Sequence, residues 1–184
     1  RGELQTRSLG YAVEVFDAEG KSLVDDKGEL VCTQPFPSMP ICFWNDPDGA
    51  KYRAAYFSRY ENVWHHGDYV MVNERGGMIF FGRSDAVLNP GGIRIGTAEI
   101  YRQLELIEEV IDSVVVGQEW KGDTRVVLFV KLAEGCELNH ELHSKICTTI
   151  GTNATPRHVP KKIVQVADIP VTRSGKISEL AVKD

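Results

Sequence analysis

Three short stretches of this sequence hold residues that can do chemistry. The first is Trp64-His65-His66-Gly67-Asp68, a loop just ahead of a strand. An ionised aspartate there only accepts hydrogen bonds, which suits it either to paired sugar hydroxyls or to capping a turn. The second runs from Gly82-Arg83-Ser84-Asp85 through Asn89-Pro90-Gly91-Gly92-Ile93-Arg94-Ile95-Gly96-Thr97 into a helix. A glycine-rich turn that opens a helix presents bare backbone N–H groups, and Arg94 adds a bidentate donor. Such a stretch either receives a phosphate or simply joins a strand to a helix. Its spacing is neither GxGxxG nor a Walker loop. The third, Pro170-Val171-Thr172-Arg173-Ser174-Gly175-Lys176, ends on a lysine. Pro170 stands where a P-loop needs glycine, and Ile177 where it needs Ser or Thr, so no P-loop is present. What remains is a lysine on a small-residue loop, either a surface charge or a mobile cation.

The elements that must position these stretches follow from periodicity. Residues 11–17 (YAVEVFD) alternate and run into a turn at Ala18-Glu19-Gly20-Lys21, and Gly28–Cys32 reads as a second strand. Pro35, Pro37, Pro40, Pro47 and Gly49 predict a long ordered loop over residues 35–49. Asp68–Val72 and Met78–Phe81 flank Glu74-Arg75-Gly76-Gly77, a hairpin signal, so the first half is β-rich. From Thr97 onward Ile100, Leu104, Ile107 and Ile111 recur with helical spacing, Thr97 serving as N-cap and Glu99 favouring the first turn. Ser113–Val116 and Arg125–Lys131 read as strands joined at Lys121-Gly122-Asp123. Leu138, Leu142, Ile146 and Ile150 predict a second helix ended by Gly151, and Lys162–Val166 a further strand. The order α-β-β-α-β describes a small α+β domain, two helices on one face of a short sheet, with a boundary near Asp85.

Composition bounds the class. A chain of 184 residues fits one ordinary domain or two small ones. Apolar residues at 42% and charged residues at 26% make a globular balance rather than a disordered one. Lys plus Arg number 21 against 26 Asp plus Glu, a net charge of −5, which argues against nucleic-acid binding and against a polybasic membrane binder. No apolar run approaches the ~20 residues of a membrane span. The opening Arg1-Gly2-Glu3-Leu4 lacks a signal-peptide core and an initiating Met, as expected of a chain cut from something longer. Cys32, Cys42, Cys136 and Cys147 include no CxxC, so the expectation is four reduced thiols and a cytoplasmic protein. His140-Glu141-Leu142-His143 falls one residue short of HExxH, and no metal site is expected.

Taken together and in this order, the three stretches resemble the adenylate-forming acyl-CoA synthetase superfamily, and within it the acetoacetate–CoA ligase branch. The resemblance runs from Arg1 to Asp184. It is most specific at Gly28–Cys32 with Pro35–Trp44, at Phe43–Phe57, at Trp64–Tyr69, and over GRSDAVLNPGGIRIGTAEIY from Gly82 to Tyr101. It implies that residues 1–84 are the β-rich C-terminal part of a large ATP-binding domain, and residues 85–184 a small α+β domain that swivels. Asp68 and Arg83 match the pair that holds the ribose of ATP, and His66 stands where most relatives have Thr or Ser. Asp85 matches the hinge. Gly91 and Gly92 match the loop lining the pantetheine tunnel of coenzyme A, where a Cβ would obstruct the thiol. Arg94 matches an arginine near the adenylate phosphate or coenzyme A, and Lys176 the catalytic lysine of adenylation.

The implied reaction joins acetoacetate and coenzyme A at the expense of ATP, with Mg2+, through an acyl-adenylate. Lys176 would serve the first step, and the Gly91-Gly92 loop, after rotation about Asp85, the second. The glycine-rich pyrophosphate loop, the adenine-stacking segment and the acyl pocket of such ligases are not found in these residues. They are expected upstream of Arg1, making the rest of the polypeptide the implied partner and the chain by itself inactive. For the coenzyme A nucleotide, Arg157, Lys161 or Lys162 are the available cations, since Cys147-Thr148-Thr149 stands where some relatives carry an arginine. An acetyl- or propionyl-CoA synthetase, and a non-catalytic interaction module that kept the fold, are the alternative readings.

Overall fold

The computed structural model describes residues 2–183, so Arg1 and Asp184, the two ends of the resemblance, lie outside the described residues. The chain forms two compact units, one ending at Ser84 and the next beginning at Asp85. Both are α+β.

The first unit is built on five antiparallel strands: β1 (Glu3–Leu4), β2 (Val13–Phe16), β3 (Lys27–Cys32), β4 (Trp64–Val72) and β5 (Met78–Arg83), in the order β1-β5-β4-β3-β2. Alternation in β2 points Val13 and Val15 inward, while β3, the only strand between β2 and β4, is buried from Gly28 to Cys32. β4 and β5 form the expected hairpin, closed by Asn73, whose backbone N–H reaches Gly77 O at 2.9 Å and whose side chain accepts the Arg75 and Gly77 N–H groups. The strand starts at Trp64, not at Asp68. Trp64–Asp68 is therefore strand rather than a loop ahead of one, because Trp64 and His65 pair with Cys32 and Val31 of the buried β3. One face packs Val15, Leu30, Val70 and Met78, and the proline-rich loop folds Phe36 over it. A helix that the sequence pattern did not announce, α1 (Ala50–Tyr56), follows that loop. It spans barely two turns, too short for a hydrophobic period to register. The Asp46 carboxylate starts it by accepting the Lys51 and Tyr52 N–H groups at 3.0 and 2.8 Å. Tyr56 then stacks on Trp64, ring centroids 3.6 Å apart.

The second unit holds α2 (Thr97–Leu104), β6 (Val110–Trp120), β7 (Asp123–Leu132), α3 (His140–Asn153), β8 (Lys162–Gln165) and α4 (Leu180–Lys183). β6 and β7 are antiparallel; β8 returns through α3 and pairs parallel to β7. The β6–β7 turn is Lys121-Gly122, with φ of 53° and 81°, two left-handed residues as a primed hairpin turn requires. β6 and β7 run beyond the expected Ser113–Val116 and Arg125–Lys131, and three helix boundaries differ from the pattern. α2 ends at Leu104: Ile107 is buried in the following turn, and Ile111 lies on β6, 62% exposed, so the period ran past the helix. Its N-cap is Gly96, one residue before Thr97, and the Gly96 N–H donates to Glu99 Oε1 at 2.9 Å. α3 continues through Gly151 to Asn153. A Cβ at 151 would lie 3.3 Å from Val159 Cγ2, so this glycine makes room for the returning chain instead of stopping the helix.

Ile100 and Leu104 of α2 and Leu142, Ile146 and Ile150 of α3 bury one face of the sheet against Val115, Val126, Leu128 and Val130. The other face, Val114, Val116 and Val127, is covered by Ile169, Ile177 and Val182 of the C-terminal segment. Among the described residues no helix is long and apolar enough to cross a membrane.

Candidate active site

In the first unit, Asp68 of β4 and Arg83 of β5 are direct cross-strand partners beside a register shift between Tyr69 and Val70. Arg83 Nη1 lies 3.3 Å from Asp68 Oδ1 and 3.4 Å from the His66 carbonyl. Gly67 permits this. Its φ is 85°, and a Cβ there would sit 2.8 Å from Arg83 Nη2. On the other side, the Trp64 indole N–H donates to His66 Nδ1 at 3.3 Å, which assigns the imidazole proton to Nε2. That Nε2 lies 3.5 Å from Asp68 Oδ2. Each carboxylate oxygen therefore faces a donor, and the Asp68 side chain keeps 21% of its surface open. It is an aimed, ionised acceptor with lone pairs to spare for hydroxyl donors.

On the neighbouring strand β3, Glu29 pairs with Tyr69 and is fully buried. Arg59 Nη2 is 3.2 Å from one of its oxygens and His65 Nε2 3.1 Å from the other, which also accepts the Ser84 hydroxyl. Ser84 is the last residue of the first unit, so Glu29 ties its end to the inner strand β3. The sequence signal was one acid in an otherwise buried apolar strand.

In the second unit, Gly91 and Gly92 lie in a single 3-10 turn, Pro90–Gly92, with φ of 59° and 77°. The Leu88–Ile95 bridge closes the loop, N···O 2.9 and 2.8 Å, with Arg94 half-buried in its returning arm. Gly91 is held from two sides. Its N–H donates to Asp123 Oδ1 at 2.9 Å, and its carbonyl accepts Arg157 Nη1 at 3.3 Å. The Gly91 and Thr124 N–H groups hold the Asp123 carboxyl below its ordinary value, outweighing burial. A Cβ on Gly92 would meet nothing within 4 Å, so packing does not demand a glycine there. Beside the turn an open hollow of about 600 Å³ is lined by Asn89, Gly92, Trp120 and Asp123. Arg125 stacks on Trp120 at 3.9 Å, and Pro90, Arg157 and Lys161 line an adjoining hollow that shares Trp120. Lys162 opens β8.

Lys176 sits on a separate tight turn of the second unit. Val171 and Ile177 form a bridge, Thr172 N–H donates to Lys176 O at 2.7 Å, and Gly175 turns with φ of 78°. Lys176 N–H donates to Thr172 Oγ1 at 3.2 Å, and the side chain is exposed with no partner among the described residues. Asp85, also exposed, begins the second unit within the turn Ser84–Ala86. The sites thus fall into four places: Asp68 with Arg83, Asp85 at the start of the second unit, Gly91 and Gly92 with Arg94, and Lys176 alone. Among the described residues no three carboxylate, imidazole or thiol groups converge to hold a metal ion.

Residues 100–176 match the model of the AMP-binding enzyme C-terminal domain. The whole chain is 60% identical to the acetoacetyl-coenzyme A synthetase of Rhizobium meliloti and, across 185 aligned residues, 49% identical to that of Mus musculus. It spans 28% of the length of each. The acetoacetyl-CoA synthetase structure from Streptomyces lividans superimposes with a TM-score of 0.92 at 44% identity, over 98% of this chain and 27% of that one. Residues 100–176 are thus similar to the AMP-binding enzyme C-terminal domain, and the chain as a whole is similar to the C-terminal part of the acetoacetyl-CoA synthetases.

Proposed function

We propose that this chain is the ribose-holding and swivelling portion of an AMP-forming acid–thiol ligase that makes acetoacetyl-CoA from acetoacetate, ATP and coenzyme A. The observation that carries the reading is the 60% identity over the entire chain to an acetoacetyl-CoA synthetase. The Asp68–Arg83 geometry supports it, because a carboxylate aimed from both sides and open at its tip suits two vicinal hydroxyls.

In the first step a carboxylate oxygen of acetoacetate attacks the α-phosphorus of ATP. A new P–O bond forms, the α–β anhydride bond breaks, and pyrophosphate leaves. Asp68 and Arg83 hold the ribose, and Arg94 lies near the adenylate phosphate. Lys176, on its exposed turn, bridges the carboxylate and phosphoryl oxygens where negative charge develops. Mg2+ enters as part of the nucleotide substrate, and no residue of this chain is assigned to it. In the second step the small unit rotates about Asp85, Lys176 withdraws, and the Gly91-Gly92 turn lines the path of the coenzyme A thiol. The sulfur, as thiolate, attacks the acyl carbon and AMP leaves. Arg157, which donates to the Gly91 carbonyl, and Lys161, in the hollow beside Trp120, are cations available there for the nucleotide of coenzyme A.

The test is Lys176→Ala in the intact ligase that carries this segment. Acetoacetate-dependent ATP–pyrophosphate exchange should fall ~10²–10³-fold, the typical loss for one aimed donor. Thioester formation from supplied acetoacetyl-adenylate should persist. Equal loss in both half-reactions would remove Lys176 from the adenylation step.

A further inference from the structure

Among the described residues, the turn that carries Lys176 is joined to the helices and sheet of its unit by one side-chain hydrogen-bonded clasp. Glu179, three residues on, accepts the Tyr101 hydroxyl at 3.1 Å and the Thr97 hydroxyl at 3.3 Å, both at Oε1. Thr97 is the first residue of α2 and Tyr101 lies one turn later on the same face. Tyr101 is itself oriented, because its oxygen accepts the Val115 N–H of β6 at 3.2 Å, which leaves its proton for Glu179. Ile177 and Val182 pack on β6 and β7 around this clasp, but apolar contacts permit sliding, whereas two hydroxyls on one carboxylate oxygen set a register.

α2 is also where the glycine turn ends. Gly96 N–H donates to Glu99 Oε1, closing the segment that began at Gly91. The two turns assigned to the two half-reactions are thus fastened to the same helical turn, Thr97–Tyr101, by different residues. The glycine turn has anchors of its own in Asp123 and Arg157. Among the described residues, the lysine turn has no other side-chain hydrogen bond to the helices or sheet of its unit.

We propose that Glu179, held by Thr97 and Tyr101, is a positioning residue for Lys176: it fixes the lysine turn to α2, so that lysine and glycine turns move as one rigid piece and a single rotation exchanges them. This rests on the adenylation role proposed for Lys176.

In the intact ligase, Glu179→Ala is expected to lower acetoacetate-dependent ATP–pyrophosphate exchange about 10- to 100-fold, the scale of a misplaced catalytic group. Thioester formation from supplied acetoacetyl-adenylate should stay within about twofold of wild type, since the glycine turn keeps its anchors. Glu179→Gln, which retains an acceptor oxygen, should recover most of the exchange activity. Equal loss in both half-reactions, or no loss in either, overturns the positioning role. Wild-type enzyme without acyl-dependent exchange would instead refute the ligase reading itself. Amide exchange keeps the proposal open to test if Glu179→Ala does not fold. In Tyr101→Phe, which removes a donor to Glu179, residues 171–178 should exchange faster while α3 is unchanged, and unaltered exchange over 171–178 overturns the clasp.

Discussion

Arg83 faces Asp68 across the β4–β5 pair, guanidinium to carboxylate at 3.3 Å, over a residue that has no side chain. That residue is Gly67, where a Cβ would stand 2.8 Å from the guanidinium and where φ of 85° strains any L-residue by ~1–2 kcal/mol. Gly67→Ala should therefore push Arg83 off the carboxylate. KM for ATP is expected to rise about tenfold in pyrophosphate exchange, with kcat nearly unchanged, since ribose binding is common to ground and transition states. Asp68→Ala should raise it further, ~10- to 100-fold, as charged hydrogen bonds are lost. An unchanged KM in both variants would detach this pair from the nucleotide.

Glu29 sets up a different expectation, one of stability. It is fully buried and meets Arg59, His65 and Ser84. Glu29→Ala removes the shared acceptor and leaves the cation and the hydroxyl behind, a loss of about 3 kcal/mol, at the lower end for a broken buried pair because Arg59 can regain water. Glu29→Gln should cost less, since it still accepts from two of the three donors. Urea unfolding of the protein followed through Trp64 in β4 checks both values. A loss under ~1 kcal/mol for Glu29→Ala would mean the network is replaceable.

These two sites also show what the sequence made legible. Strands, the hairpin and the α-β-β-α-β order were readable because each buries one apolar stripe of its own period, and Val13/Val15 and Leu142/Ile146/Ile150 carry it openly. α1 was not, because a seven-residue helix started by the Asp46 side chain has no period to display. Ile107 and Ile111 misled for the opposite reason: their spacing continued the helix while the chain had already turned into β6. Asp68, Arg83, Gly91, Gly92 and Lys176 stood out as polar or glycine residues in unusual runs. Their supports did not. Gly67 matters through a cross-strand contact, Asp123 through a residue 32 positions away and Glu179 through one 78 away, and no local pattern encodes such distances.

Asp123 is one of the two anchors of the glycine turn, so its removal should separate the half-reactions in the sense opposite to Glu179. Asp123→Ala frees the Gly91 N–H, and kcat/KM for coenzyme A in the thioester step is expected to fall about tenfold while pyrophosphate exchange is retained. The pH dependence follows from its sign. The Gly91 and Thr124 N–H groups hold this carboxyl below its ordinary value of 3.8. The anchor is therefore fully formed above that value and is lost only as pH falls through the lowered one. Wild-type thioester formation should thus keep this contact throughout the neutral and mildly acidic range. Loss of exchange activity in Asp123→Ala would show that the two turns are not anchored separately.

Tyr101 gives the alkaline counterpart. Burial, ahead of the nearby Glu179 charge, pushes its phenol far above the ordinary value of 10.0, and burial raises Tyr60 as well. Native protein should therefore show Tyr60 and Tyr101 titrating late in phenolate absorbance, and Tyr101→Phe should remove one late-titrating group. The stability effect has a direction. A group neutral in the folded state and ionised in the unfolded state contributes fully below its unfolded pKa and loses that contribution as pH rises above it. At pH 8 Tyr101→Phe should be less stable by ~1–3 kcal/mol, because the buried Val115 N–H loses its acceptor and Glu179 a donor. Above pH 10 wild type should lose about 1.4 kcal/mol per pH unit at this residue while the variant does not, so their unfolding curves converge. Curves that stay parallel to pH 11.5 would mean that Tyr101 ionises as easily in the folded protein as in the unfolded chain, and the clasp on Glu179 would have to be held by Thr97 alone.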